Sequence, residues 1–240
     1  KSYIIIGVVV IVMLVAIGIY AVINSNSQSK KQLEENSTNI EGTTNTENST
    51  KENNTENKDE YIQNNQISNE SEENNMYSTG KHHAEIVVKN YGTIVLELDA
   101  DVAPITVENF ANLVNEGFYN GLTFHRIISG FMIQGGDPLG NGTGGSSKTI
   151  KGEFASNGVK NSISHVRGTI SMARSSMPNS ASSQFFIVHQ DSTFLDGQYA
   201  AFGTVTSGME VVDKICADTA VEDDNGTVAK NNQPVIEKIT

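Results

Sequence analysis

A short, mostly apolar segment in the middle of the chain has the sequence Phe124-His-Arg-Ile-Ile-Ser-Gly-Phe-Met-Ile-Gln-Gly-Gly-Asp137. Its large apolar side chains follow neither a period of two nor a period of 3.6, and Ser129-Gly130 interrupts them in the middle. The pattern predicts two short strands that are joined by a tight turn and buried on much of both faces. Arg126 and Gln134 would lie in these apolar surroundings, where polar groups are usually paired within the protein or directed at a ligand.

The chain falls into three regions of different composition. Residues 3–23 contain no charge and no proline, residues 24–80 are almost entirely polar, and residues 81–240 have the mixed composition of a globular domain. The third region is long enough for one domain with a substantial core. It holds 11 basic residues against 17 acidic ones in a chain of net charge −12, so it lacks the basic surface that nucleic-acid binding requires.

Residues 3–23 are predicted to cross a membrane as one helix, which makes residues 1–23 an N-terminal transmembrane anchor. A helix of this length spans about 32 Å, close to the ~30 Å of a bilayer's hydrocarbon core. A cleaved signal peptide is the alternative, but its apolar region is normally shorter, and residues 21–25 offer no small-x-small cleavage site. We expect residues 24–240 to lie outside the cytoplasm, although Lys1, Lys30 and Lys31 do not by themselves favour that orientation.

Residues 24–80 are predicted to form a disordered tether between the anchor and the domain. This segment is rich in Asn, Glu, Ser and Thr, and it has almost no apolar surface that could offset the entropy of ordering the chain. Flexible-chain scaling gives it a root-mean-square reach of roughly 40 Å.

Residues 81–240 are predicted to form about eight strands and two helices. Besides the two strands of the central segment, apolar patterns predict strands at 84–89, 93–98, 164–173, 184–188, 199–205 and 234–239. Helical spacing predicts one helix from Pro104 to the stop at Gly117 and another at 208–217, while 135–149 and 174–183 are predicted loops. This pattern is typical of a mainly β fold, a closed eight-stranded antiparallel barrel with a helix over each end.

Three kinds of site lack support in the sequence. The glycine-rich loop at 140–145 has no glycine directly before Lys148 and no helix after it, so it does not predict a phosphate site. The five histidines show no metal-ligand spacing, and no Gly-x-Ser-x-Gly motif of a serine hydrolase occurs. Cys216 is the single cysteine and lies in a helical pattern, so we predict a small core residue. We therefore expect neither a metal nor a cofactor.

The remaining candidates are Arg126, Gln134 and the large apolar residues Phe131, Met132, Phe185, Phe186, Phe194 and Leu195. Residue types alone support two interpretations equally. Either these residues form a functional pocket, or they form a core in which Arg126 is paired with a loop carboxylate.

The segment 124–137 resembles the signature of the cyclophilin family of peptidyl-prolyl cis-trans isomerases almost residue for residue. Four further motifs are similar in the same order, at 168–173, 183–187, 194–197 and 202–203. The likeness covers about residues 83–240 and excludes the anchor and the tether. It implies an eight-stranded antiparallel barrel capped by two helices, and an enzyme that accelerates rotation about X-Pro bonds in peptides and folding proteins. The alternative is a module that binds proline peptides and turns them over only incidentally.

The resemblance also implies roles for individual residues. The family's catalytic arginine matches Arg126, and its glutamine that bonds the substrate backbone matches Gln134. Further positions match the floor of its proline pocket (Phe131, Met132, Phe186, Leu195) and its backbone-binding strand edge (Ala173-Arg174).

Two positions near this site depart from the best-known members of the family. Phe194 stands where many members have tryptophan, and Tyr199 stands where many have histidine. The proline pocket should survive both changes. Cyclosporin, which accepts a hydrogen bond from that tryptophan in the family, should bind with reduced affinity because Phe194 has no donor.

Overall fold

The structure is a computed structural model in which residues 76–240 are described. The predicted anchor at residues 1–23 and the predicted tether up to residue 75 lie outside the described residues. Within residues 76–240, no helix combines the length and apolar character needed to cross a membrane.

The described part is mainly β, with eight strands and two α-helices as predicted. The strands are β1 (Lys81–Val88), β2 (Gly92–Asp99), β3 (Phe124–Ile128), β4 (Met132–Gly135), β5 (Thr169–Met172), β6 (Phe185–Val188), β7 (Ala201–Ser207) and β8 (Ile236–Ile239). The helices are α1 (Pro104–Asn115) and α2 (Met209–Asp218), and 3₁₀ turns occur at Ala155–Asn157, Thr193–Leu195 and Lys230–Asn232.

The strands form one antiparallel sheet in the order β3-β4-β6-β5-β7-β2-β1-β8. The sheet curves until its two ends nearly meet. Ile236 of β8 donates to the Leu122 carbonyl and its own carbonyl accepts from Gly121, both at 2.8 Å, while Phe124 of β3 donates to Pro234 at 2.9 Å. These bonds satisfy backbone groups that an open sheet would leave exposed at its edges. The predicted barrel is therefore confirmed as a nearly closed one.

Helix α1 begins at Pro104, as its sequence predicts, but a distant side chain caps it. Buried Glu153 accepts hydrogen bonds from the backbone N–H groups of Ile105 (3.1 Å) and Thr106 (2.8 Å), and from the Thr106 hydroxyl (2.7 Å). The first N–H groups of a helix have no partner within the helix, and a negative charge there is favourable. Glu153 thus ties the long connection between β4 and β5 to the start of α1.

Two local predictions need correction. The predicted strand at 164–173 is only Thr169–Met172, because His165 turns its backbone N–H to the Asp196 carboxylate at 2.7 Å and leaves the ladder. The predicted surface loop at 135–149 begins inside the protein. Asp137 is buried and accepts hydrogen bonds from the backbone N–H groups of Leu139 (2.8 Å) and Gly142 (2.6 Å).

Cys216 is confirmed as a core residue. It is buried on α2, and burial raises the pKa of its thiol to about 11.

Candidate active site

The β3–β4 hairpin brings Arg126 and Gln134 together as a cross-strand pair. Directly opposed residues on neighbouring strands present their side chains on the same face of the sheet. Here the Arg126 Nη1 group donates to the Gln134 Oε1 atom at 3.2 Å. The two polar residues of the central segment therefore form one unit.

A loop near the C-terminus, which the sequence reasoning did not identify, holds the Arg126 guanidinium. Its Nε donates to the Asn225 carbonyl at 2.8 Å, and its Nη2 donates to the Asn225 Oδ1 atom at 3.1 Å. The loop approaches β3 closely, because Ile127 N donates to the Gly226 carbonyl at 2.8 Å and a Cβ on Gly226 would lie only 2.3 Å from the Ile127 carbonyl oxygen. Gly226 also has a positive φ of +80°, which favours glycine.

The hydrogen-bond partners of Arg126 exclude the alternative in which Arg126 forms a structural ion pair with a loop carboxylate. Among residues 76–240 no carboxylate lies within ion-pair distance of its guanidinium, and its partners are amide oxygens. A guanidinium has five N–H donors. Asn225 and Gln134 occupy three of them, which leaves two N–H groups for a ligand.

Burial disfavours the charged form of Arg126, but the side chain remains charged. Desolvation lowers the pKa of Arg126, and the nearby Tyr199 and Asp223 partly oppose this shift. An arginine side chain still remains protonated at neutral pH. A positive charge in partly desolvated surroundings acts more strongly on a neighbouring group than one in water does.

A second, smaller apolar cluster adjoins this polar pair and is separate from the main core. Its buried members are Met132, Phe186, Val188 and Leu195, and Ile128, Phe131, Ala173 and Tyr199 pack against it while partly exposed. Phe186 lies directly opposite Gln134 on the neighbouring strand. The cluster therefore adjoins the Arg126–Gln134 pair on the same face of the sheet, and its partly exposed members reach the protein surface.

Phe194 extends this cluster outward. The residue is 60% exposed, and its ring centroid lies 5.6 Å from that of Phe131. An exposed aromatic ring in tilted contact with a second one provides apolar contact area that a single isolated side chain does not.

Arg174 has a structural role through its side chain. The guanidinium lies 4.7 Å from the centroid of the Tyr199 ring and 5.0 Å from that of Phe154, and it donates to the Gln198 carbonyl at 2.8 Å. These contacts hold Tyr199 at the edge of the cluster. The predicted backbone role of Ala173-Arg174 concerns other atoms and stays a prediction.

Gln134 is oriented by a second glutamine. Its Nε2 donates to the Gln184 Oε1 atom at 2.9 Å, and Gln184 in turn donates to the carbonyls of Gly142 (3.1 Å) and Gly144 (2.7 Å) in the glycine-rich loop. The Gln134 amide has two N–H groups, and because Gln184 accepts from only one of them, the other remains free to donate. The glycine-rich loop at 140–145 thus supports the glutamine pair.

Behind Phe186 lies a Ser-His-Asp arrangement. The His165 Nδ1 lies 2.8 Å from Asp196 Oδ1 and its Nε2 lies 3.0 Å from Ser171 Oγ. His165 and Ser171 are both fully buried, so no substrate can reach the hydroxyl. The imidazole instead stacks against the Phe186 ring with centroids 6.0 Å apart, and it supports the apolar cluster from the inside.

Within residues 76–240 no group of three or more His, Cys, Asp or Glu side chains is placed to hold a metal ion.

The fold and this site together define a class of domain: an antiparallel barrel that presents a fixed, charged hydrogen-bond donor beside an apolar surface.

Comparisons with known proteins agree with this class. The family described as "Cyclophilin type peptidyl-prolyl cis-trans isomerase/CLD" matches residues 83–240. A peptidyl-prolyl cis-trans isomerase of Helicobacter pylori is 50% identical over 128 residues, covering 52% of this chain and 76% of the relative. Peptidyl-prolyl cis-trans isomerase B of Bacillus subtilis is 50% identical over 117 residues, covering 49% and 78%.

A solved structure is also similar to this chain. The Cryptosporidium parvum cyclophilin type peptidyl-prolyl cis-trans isomerase, crystallised in the presence of the dipeptide Ala-Pro, aligns with a TM-score of 0.59 and 32% identity. The alignment covers 66% of this chain and 98% of the other. The chain belongs to the cyclophilin-type peptidyl-prolyl cis-trans isomerase family. Its domain is a peptidyl-prolyl cis-trans isomerase.

Proposed function

We propose that Arg126 and Gln134 are the catalytic residues of this isomerase and that the adjoining apolar cluster binds the proline ring. Phe131, Met132, Phe186 and Leu195 form the binding surface, Phe194 and Tyr199 border it, and Ala173-Arg174 bind the peptide backbone. The observation that carries this proposal is the Arg126 guanidinium, which is held by three hydrogen bonds and keeps two donors free beside apolar side chains.

These residue types suit rotation about an X-Pro bond. The barrier is ~20 kcal/mol because rotation destroys amide conjugation, and no covalent bond is broken. In the twisted state the lone pair of the imide nitrogen is localised and can accept a hydrogen bond. A free N–H of Arg126 would donate to it, and this bond is stronger in the twisted state than in either planar one. The free N–H of Gln134 would hold a neighbouring carbonyl oxygen of the peptide.

The test is exchange of the cis and trans forms of an Ala-Ala-Pro-Phe peptide, followed by NMR at substoichiometric enzyme. We expect Arg126→Ala to lose most of the acceleration while it still binds the peptide. Arg126→Lys is the matched control, since it keeps the charge but lacks the planar fork that reaches Asn225 and Gln134 together. If wild type and Arg126→Ala catalyse exchange equally, Arg126 is not catalytic. If the wild type binds the peptide without accelerating exchange, the domain acts as a binding module.

We also propose that the isomerase domain is held outside the cytoplasm by a membrane anchor at residues 3–23 and a tether that follows it. The tether predicted at residues 24–80 must end before Tyr77, because Tyr77 packs against the domain core and its N–H donates to Glu108 at 2.7 Å. The uncharged apolar run and the polar, low-complexity segment after it support this arrangement. All four prolines of the chain, at 104, 138, 178 and 234, lie in the domain. The tether therefore contains no X-Pro bond that could occupy its own enzyme, which leaves the site free for exported proteins that are folding.

Two measurements test this location. Fractionation of cells that express the full chain should place the protein in the membrane fraction, and a shift to the soluble fraction would refute the anchor. Protease added to intact cells should remove the domain. Protection of the domain would show that it faces the cytoplasm.

We propose, finally, that cyclosporin binds with reduced affinity because the exposed Phe194 ring offers no N–H donor. Phe194→Trp should restore affinity by about fivefold or more, the effect of one added hydrogen bond. Tight cyclosporin binding by the unaltered protein would contradict this explanation.

A further inference from the structure

Phe131 lies in the turn between β3 and β4, and this turn is not buried in the main core. Ser129 and Gly130 are exposed, and Gly130 has a positive φ of +82°. Within the turn, Phe131 N donates to the Ile128 carbonyl at 2.9 Å. Since the Phe131 side chain is only partly buried, other bonds must hold the turn against the barrel.

His189, the residue directly after β6, supplies two such bonds. Its backbone N–H donates to the Phe131 carbonyl at 2.8 Å, and its side-chain Nδ1 accepts a hydrogen bond from the Gly130 N–H at 2.9 Å. A backbone N–H can only donate, so the Nδ1 atom must be without a proton in this arrangement. The single side chain of His189 therefore holds the exposed half of the turn.

The imidazole is itself fixed from the other side. With Nδ1 accepting, its proton lies on Nε2, which donates to Asp213 Oδ1 on α2 at 3.1 Å. Arg167 binds both carboxylate oxygens of Asp213 at 2.8 Å and donates to the His189 carbonyl at 2.8 Å. These bonds select the tautomer and the orientation of the ring.

We propose that His189 is a positioning residue for substrate binding, which holds Phe131 at the edge of the proline-binding surface. This inference rests on the role proposed for Phe131. An apolar wall contacts the proline ring through burial and dispersion, which do not depend on the twist of the peptide bond. Contacts that are equal in the ground and transition states change KM and leave kcat unchanged. His189 thus affects KM, in contrast to the groups that hold Arg126.

Two substitutions separate the two side-chain bonds of His189. In His189→Asn the Oδ1 atom takes the place of Nδ1 and can accept from Gly130, but the bond to Asp213 is lost. In His189→Gln the Nε2 atom takes the place of the imidazole Nε2 and can donate to Asp213, but the acceptor for Gly130 is lost. The two variants are similar in size and polarity, so a difference in KM between them reports the loss of the hydrogen bond from the Gly130 N–H.

The experiment measures KM and kcat for exchange of the Ala-Ala-Pro-Phe peptide by NMR, together with hydrogen exchange at the Gly130 amide. We expect His189→Gln to raise KM about fivefold with kcat within about twofold, and to speed exchange at Gly130. We expect His189→Asn to stay within about twofold of wild type in KM and kcat, and to keep the Gly130 amide protected.

Other outcomes would overturn the inference. A wild-type KM in His189→Gln refutes the positioning role, and so does an equal rise of KM in both variants, which would indicate a general structural effect. A fall in kcat at constant KM would place His189 with the catalytic groups instead. A wild-type protein without catalysis would refute the isomerase site as a whole and is recognised before either variant is compared.

Discussion

Asn225→Asp tests whether the charge of Arg126, and not only its placement, accelerates rotation. Asparagine and aspartate have the same shape, so the Oδ1 atom that accepts from Arg126 Nη2 at 3.1 Å is retained. The substitution adds a negative charge next to the guanidinium. If catalysis required only a correctly placed N–H, the variant would be as active as the wild type.

The size of the effect follows from Coulomb's law. One hydrogen bond of 3.1 Å to Arg126 and a second of about 3 Å from Arg126 to the substrate would separate the new carboxylate from the substrate nitrogen by about 6 Å. Loss of amide conjugation in the twisted state leaves about half an elementary charge more on that nitrogen. At an effective dielectric constant of about 20 this repulsion is about 1.4 kcal/mol. A barrier higher by that amount lowers kcat about tenfold.

The assay is NMR exchange of the proline peptide with KM and kcat separated. Asn225→Ala is the matched control, because it removes the Oδ1 acceptor without adding charge and leaves the Asn225 carbonyl bonded to Nε. We expect it to lower kcat only about threefold, since one of three bonds is lost. A variant Asn225→Asp with wild-type kcat, or one less impaired than Asn225→Ala, would refute the electrostatic explanation.

Three further predictions concern stability and reactivity. Burial lowers the pKa of His125 and of His165, so below about pH 6.5 the unfolded chain binds more protons than the folded protein does. The free energy of unfolding should therefore fall as the pH falls from 7.5 to 5.5. Urea titrations should show a weaker pH dependence for His125→Leu, and an unchanged dependence would contradict this explanation. Glu153→Ala should lower the free energy of unfolding by about 2 kcal/mol, because two N–H groups of α1 lose their acceptor. The control Glu237→Ala, at an exposed position, should lower it by almost nothing. Equal urea midpoints for the two variants would disprove the cap. Cys216 is buried, and burial raises the pKa of its thiol to about 11. At pH 7.5 it should therefore react with a maleimide slowly in the folded protein and rapidly in urea. Fast labelling of the folded protein would contradict its burial.

The strands and helices could be predicted because their signals are local. Pro104 and Gly117 delimit a helix within a short span, and Ser129-Gly130 marks the turn of a hairpin. The strand at 164–173 was predicted too long because Asp196, far along the chain, competes for the backbone of His165. Such competition depends on the folded neighbourhood and leaves no trace in the spacing of apolar residues.

The candidate site shows the same division. Arg126 and Gln134 could be identified as unusual polar residues within an apolar segment, but the register that pairs them was seen only in the structure. Asn225 could not be identified, because Asp-Asp-Asn-Gly indicates a turn but not the strand against which that turn packs. The same holds for Glu153 at the start of α1 and for His189 behind the turn, since both act on segments that are distant in the chain.

These distant contacts explain why a whole barrel is needed for a reaction that breaks no covalent bond. Arg126 is held by Gln134 from the same hairpin and by Asn225, which lies 99 residues further along the chain. Gln134 is held by Gln184, whose own amide is held by the glycine-rich loop. Because the folded protein maintains these bonds without substrate, the donors need not reorganise as the peptide bond twists. A short peptide with the same arginine and phenylalanine would have to order them at each turnover, and that entropy would offset much of the stabilisation they provide.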